Sequence, residues 1–344
     1  MPPRPLSMRH LRPKLLLALV ALIAGLAAGC GSDTNDAGSL YLYSGRSESL
    51  VGPIIKQFAE LTGIDVQVKY AGTASLAATL LEEGDRSPAD VFYAQDPGGL
   101  GVVESMLGVL PAETLERVSE WARSPQGLWV GISGRARVLV FNPERVSESE
   151  LPASIEDLTD PKWKGRLGWA PTNGSFLTMV TGMRKLWGEE RTRAWIDGMV
   201  ANGASIYPNN TTQVAAVASG EIDVGLVNHY YLFRFLAEEG ETFVARNYHP
   251  TAGGPGSLVM VSGAGVLATA ENRENAERFV SFLLSRVAQQ YFASQTFEYP
   301  LVEGVRTRRL LTPLHEINRP DVALADLADL AGTTKLLRSA GALP

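Results

Sequence analysis

The chain has 344 residues, room for one large core or two ordinary ones, and two lobes are the expected division. Its 45% hydrophobic content describes a globular protein and excludes a disordered one. With 31 basic and 37 acidic residues the formal net charge is −6, which argues against nucleic acid as a partner.

The chain opens on a basic segment, Arg4, Arg9, Arg12 and Lys14, followed by an apolar run from Leu15 to Ala28. Residues 1–29 therefore read as a secretory signal, since the run is too short for an ordinary membrane-spanning helix. Leu26-Ala27-Ala28-Gly29-Cys30 resembles a bacterial lipobox, whose cysteine is lipidated and becomes the mature N-terminus. Residues 30–38, small and polar, are the expected tether. The expected location is extracytoplasmic, anchored to the cell membrane through Cys30. Cys30 is the single cysteine, so internal disulfides and cysteine-based zinc sites are excluded. Without the four basic residues of the signal, 27 basic residues face 37 acidic ones, a formal charge of −10.

Ser39 to Ser44 reads as a first strand, and Leu50, Val51, Ile54, Ile55, Phe58 and Leu61 follow at helical spacing with Gly63 as the stop. Ile64, Val66 and Val68 alternate as a second strand. Leu76 to Glu83 forms a helix closed by Gly84, and Ala89 to Tyr93 forms a third strand. Arg137 to Phe141 is a further strand; Pro161 to Gly165 is a turn before the strand Arg166 to Ala170. Helices are expected at 175–188 and 190–202, and one from Asn210, whose spacing to Gln213 is that of a capping box, to about Ser219. Ile222 to Val227 is the next strand. Ser257 to Val261 and Gly265 to Ala268 look like two more, before a helix from Asn272 to Leu284. Strands alternating with helices imply parallel sheets in an α/β architecture.

In open α/β sheets ligands bind beyond the carboxyl ends of strands. Four loops lie at such places: Ser44 to Glu48, Gln95-Asp96, Thr172 to Ser175, and Asn228 to Tyr231. Two belong to each half, so a cleft between lobes would bring them together and close by hinge motion. Tyr230 and Tyr231 are the chemical centre of this set. A phenol has an unperturbed pKa of roughly 10, so its ionisation at neutral pH costs about 4 kcal/mol. A small, highly charged cation supplies that energy, and hard oxygen donors favour Fe(III); the alternative is that both are packing residues beside a loop. Thr172 to Ser175 offers hydroxyls and backbone amides to an anion. Arg135 or Arg137 either meets an anion or closes a salt bridge between lobes. His229 is either a ligand or a hydrogen-bonded structural histidine. Motifs for nucleotide hydrolysis, serine hydrolysis or zinc proteolysis are missing. Only His229, His249 and His315 remain outside the signal, so the chain is expected not to be an enzyme.

Six stretches carry a resemblance to a known family: Tyr43 to Arg46, Ser87 to Tyr93, Ser133 to Arg137, Pro161 to Gly165, Asn228 to Tyr231, and Glu298 to Leu301. In this order they resemble the bacterial periplasmic ferric-ion-binding proteins, solute receptors of ABC iron importers. The resemblance implies a two-lobed type II periplasmic-binding fold, with parallel-rich sheets, an interlobe cleft and a hinge. It implies Fe(III) held by Tyr230 and Tyr231, with phosphate, carbonate or citrate as a synergistic anion at Asn173, Gly174, Ser175, Asn210 and Asn228; Arg135, from its place just before the chain changes lobe, is a further candidate for the anion. Some members place a histidine and a glutamate where this chain has Ser47 and Gln95. Glu48 and Asp96, one residue away, are the candidate replacements, and Tyr43 or Tyr93 are candidate further phenolates. The implied partners are a membrane permease and its ATPase, with the receptor itself a monomer. Residues 39–137 and 259–305 are expected to form the first lobe and 138–258 the second, with 306–344 packed on the second. The competing reading is a receptor for an anionic organic solute such as a phosphonate or sugar phosphate.

Overall fold

The computed structural model describes residues 37–343. The signal, Cys30 and most of the tether lie outside the described residues. The first strand, β1, spans Ser39–Ser44, and the helix Glu48–Thr62 that follows buries Val51, Ile54, Ile55 and Phe58 along one face. That helix stops at Gly63, whose φ of 75° is open to glycine without strain and whose N–H donates to the Ala59 carbonyl. Then come β2 (Asp65–Tyr70), the helix Thr73–Glu83, and β3 (Val91–Ala94). β1 pairs in parallel with both β2 and β3, as the alternation of strand and helix predicts.

The centre of the sheet departs from that pattern. β4 runs from Val130 to Phe141, twelve residues buried from end to end, so the strand expected at Arg137 is only its second half. The first half, Val-Gly-Ile-Ser-Gly-Arg-Ala, lacks a continuous apolar signal because its small residues answer to close neighbours. A Cβ on Gly131 would stand 2.6 Å from the Ala122 carbonyl oxygen, and one on Gly134 would stand 3.1 Å from Tyr299 Cβ. β9, Val259–Val266, is likewise one strand where two short ones were expected. Gly263 and Gly265 interrupt its pattern; a Cβ on Gly263 would meet Leu100 Cδ1 at 2.8 Å.

β9 pairs antiparallel with β3 on one side and with β4 on the other. Beyond it lie β5 (Leu167–Trp169), β6 (Ser205–Ile206), β7 (Val224–Asn228) and β8 (Arg246–Tyr248). β4 pairs antiparallel with β7 and β8 through residues 137–141, while β5 pairs in parallel with β6 and β7. The short β10, Tyr299–Pro300, joins β4 at Gly134 and Ser133. The order is β2-β1-β3-β9-β4-β7-β5-β6, parallel at both flanks and antiparallel around β4 and β9. β4 thus gives residues 130–136 to one half of the sheet and 137–141 to the other.

The remaining helices cover these halves. Gly174–Trp187 and Glu189–Ala201 pack with Trp169, Phe176 and Trp195 in one core, and Asn210–Ser219 and Tyr230–Glu239 line another around Val138 and Val227. The C-terminal helix Leu330–Ser339 packs on Gly174–Trp187, where Thr181 and Thr333 share a buried hydroxyl hydrogen bond of 2.7 Å. The turn before it, Leu324–Leu327, also lies against the short helix Pro97–Val102. Among the described residues no helix is long and apolar enough to cross a membrane.

Asp90, with no solvent exposure, joins three elements of the first half. Its carboxylate accepts from Tyr41 N in β1 at 2.8 Å, from Asn272 N at 2.8 Å and from Asn272 Nδ2 at 3.1 Å, where the helix Arg273–Leu283 begins. Asp90→Ala is expected to lower stability by roughly 2–4 kcal/mol, because it strands buried donors. A lower urea midpoint at unchanged m-value checks this.

Candidate metal and anion site

Tyr230 and Tyr231 are the first two residues of the helix Tyr230–Glu239, with only His229 between them and the end of β7. Tyr230 is 5% exposed and Tyr231 half-buried, and their rings stack at 4.3 Å between centroids. One turn further on, the Arg234 guanidinium lies 5.1 Å from one ring centroid and 5.2 Å from the other. Burial pushes the Tyr230 pKa above its ordinary value; the adjacent Tyr231 adds to this, and Arg135 opposes it. Tyr230 is therefore a neutral phenol at physiological pH unless a cation takes its oxygen.

His229 is structural. Its Nδ1 accepts from Ala136 N at 3.1 Å, so Nε2 carries the proton and donates to the Phe297 carbonyl at 2.9 Å. Burial lowers its pKa to about 3, and its ring lies 4.5 Å from that of Tyr299. With both nitrogens engaged, it has no lone pair for a metal.

Beside the tyrosines runs a connected set of polar groups. Arg137 Nη1 donates to Asn228 Oδ1 at 3.1 Å, Asn228 Nδ2 donates to Ser175 Oγ at 3.0 Å, and Ser175 Oγ donates to Asn173 Oδ1 at 2.6 Å. Asn173 also accepts from Ser175 N at 3.1 Å, which caps the helix Gly174–Trp187 and fixes the loop. Gly174 is exposed, with open space where a side chain would stand. Asn210 corrects the capping-box reading. The cap is Asn209, whose Oδ1 accepts from Thr212 N at 3.0 Å. Asn210 turns inward instead, with no solvent exposure and an Nδ2 that finds no partner.

Three guanidiniums act electrostatically on the tyrosines, Arg46, Arg135 and Arg137, each 1% exposed. Arg46 pairs with Glu298, whose other oxygen accepts from Ser133 Oγ. Arg135 donates to the Gln95 carbonyl oxygen, bridging β4 to one of the candidate loops. Burial pushes the Arg137 pKa down to about 9, while Tyr231 and Tyr230 pull the other way; it stays charged at neutral pH. The Arg46–Glu298 pair, 252 residues apart in sequence, has no local signal. Arg135 and Arg137 had one: two charges at i and i+2 fall on the same face of a strand.

The first-half candidates are placed less centrally. Ser47 and Glu48 are exposed at the start of the helix Glu48–Thr62, and Glu48 acts electrostatically on Tyr70. Asp96 is half-buried and caps Pro97–Val102 by accepting from Gly99 N at 3.1 Å. Thr73 locks the two loops together: its hydroxyl accepts from Gln95 N at 3.0 Å, and a Cβ on Gly45 would fall 3.1 Å from its Cα. Tyr43 donates to Glu83 at 2.9 Å, on a shared outer network with Ser87, whereas Tyr93 is wholly buried, with its pKa raised to about 12 by burial. Among the described residues, no group of three or more His, Cys, Asp or Glu side chains could hold a metal. A hard cation here would depend on the phenols.

The sequence pattern of the bacterial extracellular solute-binding protein family matches residues 87–314. The major ferric iron-binding protein of Neisseria meningitidis serogroup B is 34% identical over 325 residues, 92% of this chain and 97% of that one. Iron-bound HitA from Pseudomonas aeruginosa superposes with a TM-score of 0.81 at 39% identity, covering 88% of this chain and 99% of that chain. A Trichodesmium protein in complex with iron and citrate superposes at 0.78 with 31% identity, covering 88% and 99%. The fold shared with these structures is the two-lobed type II periplasmic-binding fold.

Removing one member of the Arg46–Glu298 pair leaves the other charge buried alone. Glu298→Ala is expected to cost about 3–5 kcal/mol, and the double change Arg46→Met, Glu298→Leu markedly less. Chemical denaturation of the single and double variants measures the difference.

Proposed function

This chain belongs to the bacterial extracellular solute-binding proteins, among the periplasmic ferric-ion-binding members, and we propose that it captures Fe(III) through Tyr230 and Tyr231 together with a bound anion. The observation that carries the reading is the stacked tyrosine pair set among three buried guanidiniums with one buried carboxylate. Arg46, Arg135 and Arg137 against Glu298 leave two positive charges in excess. Two phenolates cancel these, and the three charges of the ferric ion then call for a multiply charged anion. Phosphate, carbonate and citrate all qualify, and citrate accompanies iron in the Trichodesmium relative.

In this reading Gly174, Ser175, Asn210 and Asn228 bind the anion, Asn173 shapes their loop, and Arg135 contributes charge. Residues 39–137 and 259–305 form one lobe and 138–258 the other, while 306–344, expected on the second alone, reaches both, with Leu324–Leu327 against Pro97–Val102 and Leu330–Ser339 against Gly174–Trp187. Glu48 and Asp96 are the first lobe's candidate ligands, each just beyond a strand end and carried towards the tyrosines as the lobes close. The protein performs no chemistry on its cargo. Anchored through Cys30, it acts as a monomer that hands iron to a membrane permease driven by its ATPase.

Purified protein mixed with ferric citrate is expected to develop a visible phenolate-to-iron charge-transfer band, absent in the Tyr230→Phe, Tyr231→Phe double variant. A protein that stays colourless but is stabilised by an organic phosphate would instead be a receptor for anionic solutes. The pH dependence has a definite sign. Each phenol that ligates iron must release a proton, so acid weakens binding and base strengthens it. Two phenolates give a change of about a hundredfold in affinity per pH unit between pH 5 and 7 at fixed free ferric ion. Proton release on iron loading, measured in weakly buffered solution, gives the same count directly.

A further inference from the structure

Of the three buried arginines only Arg46 meets a carboxylate, and Arg137 leaves the most of its guanidinium unmet, with two nitrogens lacking a partner. Arg46 has the Glu298 carboxylate and Arg135 has the Gln95 carbonyl oxygen. Arg137 reaches only neutral side chains, Asn228 Oδ1 at 3.1 Å and Ser175 Oγ at 3.5 Å, both through Nη1. Its Nε and Nη2 find no partner, although the side chain is 1% exposed. Among the described residues no carboxylate pairs with it. An isolated buried guanidinium is expensive, so the fold retains here a positive charge that it does not itself compensate. The groups that act on it electrostatically are Tyr231 and Tyr230. Once ferric ion binds, the phenolates are committed to the metal, and their negative charge is more than offset by it. The charge that answers Arg137 must then arrive with the anion.

We propose that Arg137 is the fixed cation of the anion subsite, a positioning residue that aligns Asn228 and Ser175 and selects multiply charged oxyanions over singly charged ones. This rests on the ferric reading above and adds to it the basis of anion choice. The selectivity follows from Coulomb's law, since the attraction of a fixed charge in a low-dielectric setting grows in proportion to the charge on the anion. The alignment follows from geometry. Arg137 Nη1 holds the Asn228 carbonyl, which turns Nδ2 of the same amide towards Ser175 Oγ. Lysine at this position would keep the charge and lose the planar fork.

The test titrates iron into the purified protein at fixed pH in acetate, in phosphate and in citrate, reading both the charge-transfer band and the affinity from chelator competition. The unaltered protein is expected to bind iron more tightly in phosphate and citrate than in acetate, and the ratio is the quantity of interest. Arg137→Gln is expected to lower that ratio roughly 10- to 100-fold, the scale of a charge-assisted hydrogen bond, each variant being read against its own affinity in acetate. Arg137→Lys is expected to fall between the two, and it carries the test if Arg137→Gln does not fold. A ratio unchanged in the folded variant, whichever of the two it is, overturns the proposal. An unaltered protein that gives no band in any of the three anions overturns the ferric reading instead, and the proposal falls with its premise.

Discussion

The site depends on one constraint: β4 is buried along all twelve residues yet carries two arginines on one face. A strand that belongs to both halves of the sheet has no solvent side to which those charges can turn. They are spaced i and i+2, so they reach two different places from one rigid backbone, Arg135 towards the Gln95 carbonyl and Arg137 towards Asn228. Because β7 pairs with the same stretch of β4, the position of the tyrosines relative to Arg137 is fixed by sheet register, with Arg137 directly opposite Asn228.

That placement sets two opposing effects against each other at Tyr230. Burial and the neighbouring phenol hold the proton on, while Arg135 works against them. The protein therefore folds with a neutral phenol in its interior, although buried guanidiniums act on it electrostatically. Among the described residues no cluster of carboxylates or imidazoles stands ready for a metal, and His229 is spent on tying β4 to the Phe297 carbonyl.

Much of this was legible in the sequence where local pattern decides. The first strand, the helices closed by Gly63 and Gly84, and the delivery of the tyrosines from strand to helix all follow from hydrophobic spacing and stop signals. The misses share a physical cause. The first half of β4 and the middle of β9 are rich in glycine and serine because neighbouring side chains crowd them, and crowding from distant residues leaves no periodicity. The inward turn of Asn210 depends on which of two adjacent asparagines takes the cap. The Arg46–Glu298 pair joins residues 252 positions apart, so each was visible only as part of a resembling stretch. Parallel pairing was read correctly at the flanks and failed at the centre, where β4 and β9 meet antiparallel.

The turn Leu324–Leu327 touches two helices whose first residues lie in different candidate loops, Pro97–Val102 after Asp96 and Gly174–Trp187 after Asn173. Leu327 is wholly buried there, its carbonyl facing Gly98 and its side chain lying near Gly182. Contacts made against glycines resist compression but offer little to catch on in sliding. A change in the angle between those two helices must shear this junction, sliding Leu327 past the two glycines and stretching the 3.8 Å ion pair between Asp326 and Lys185.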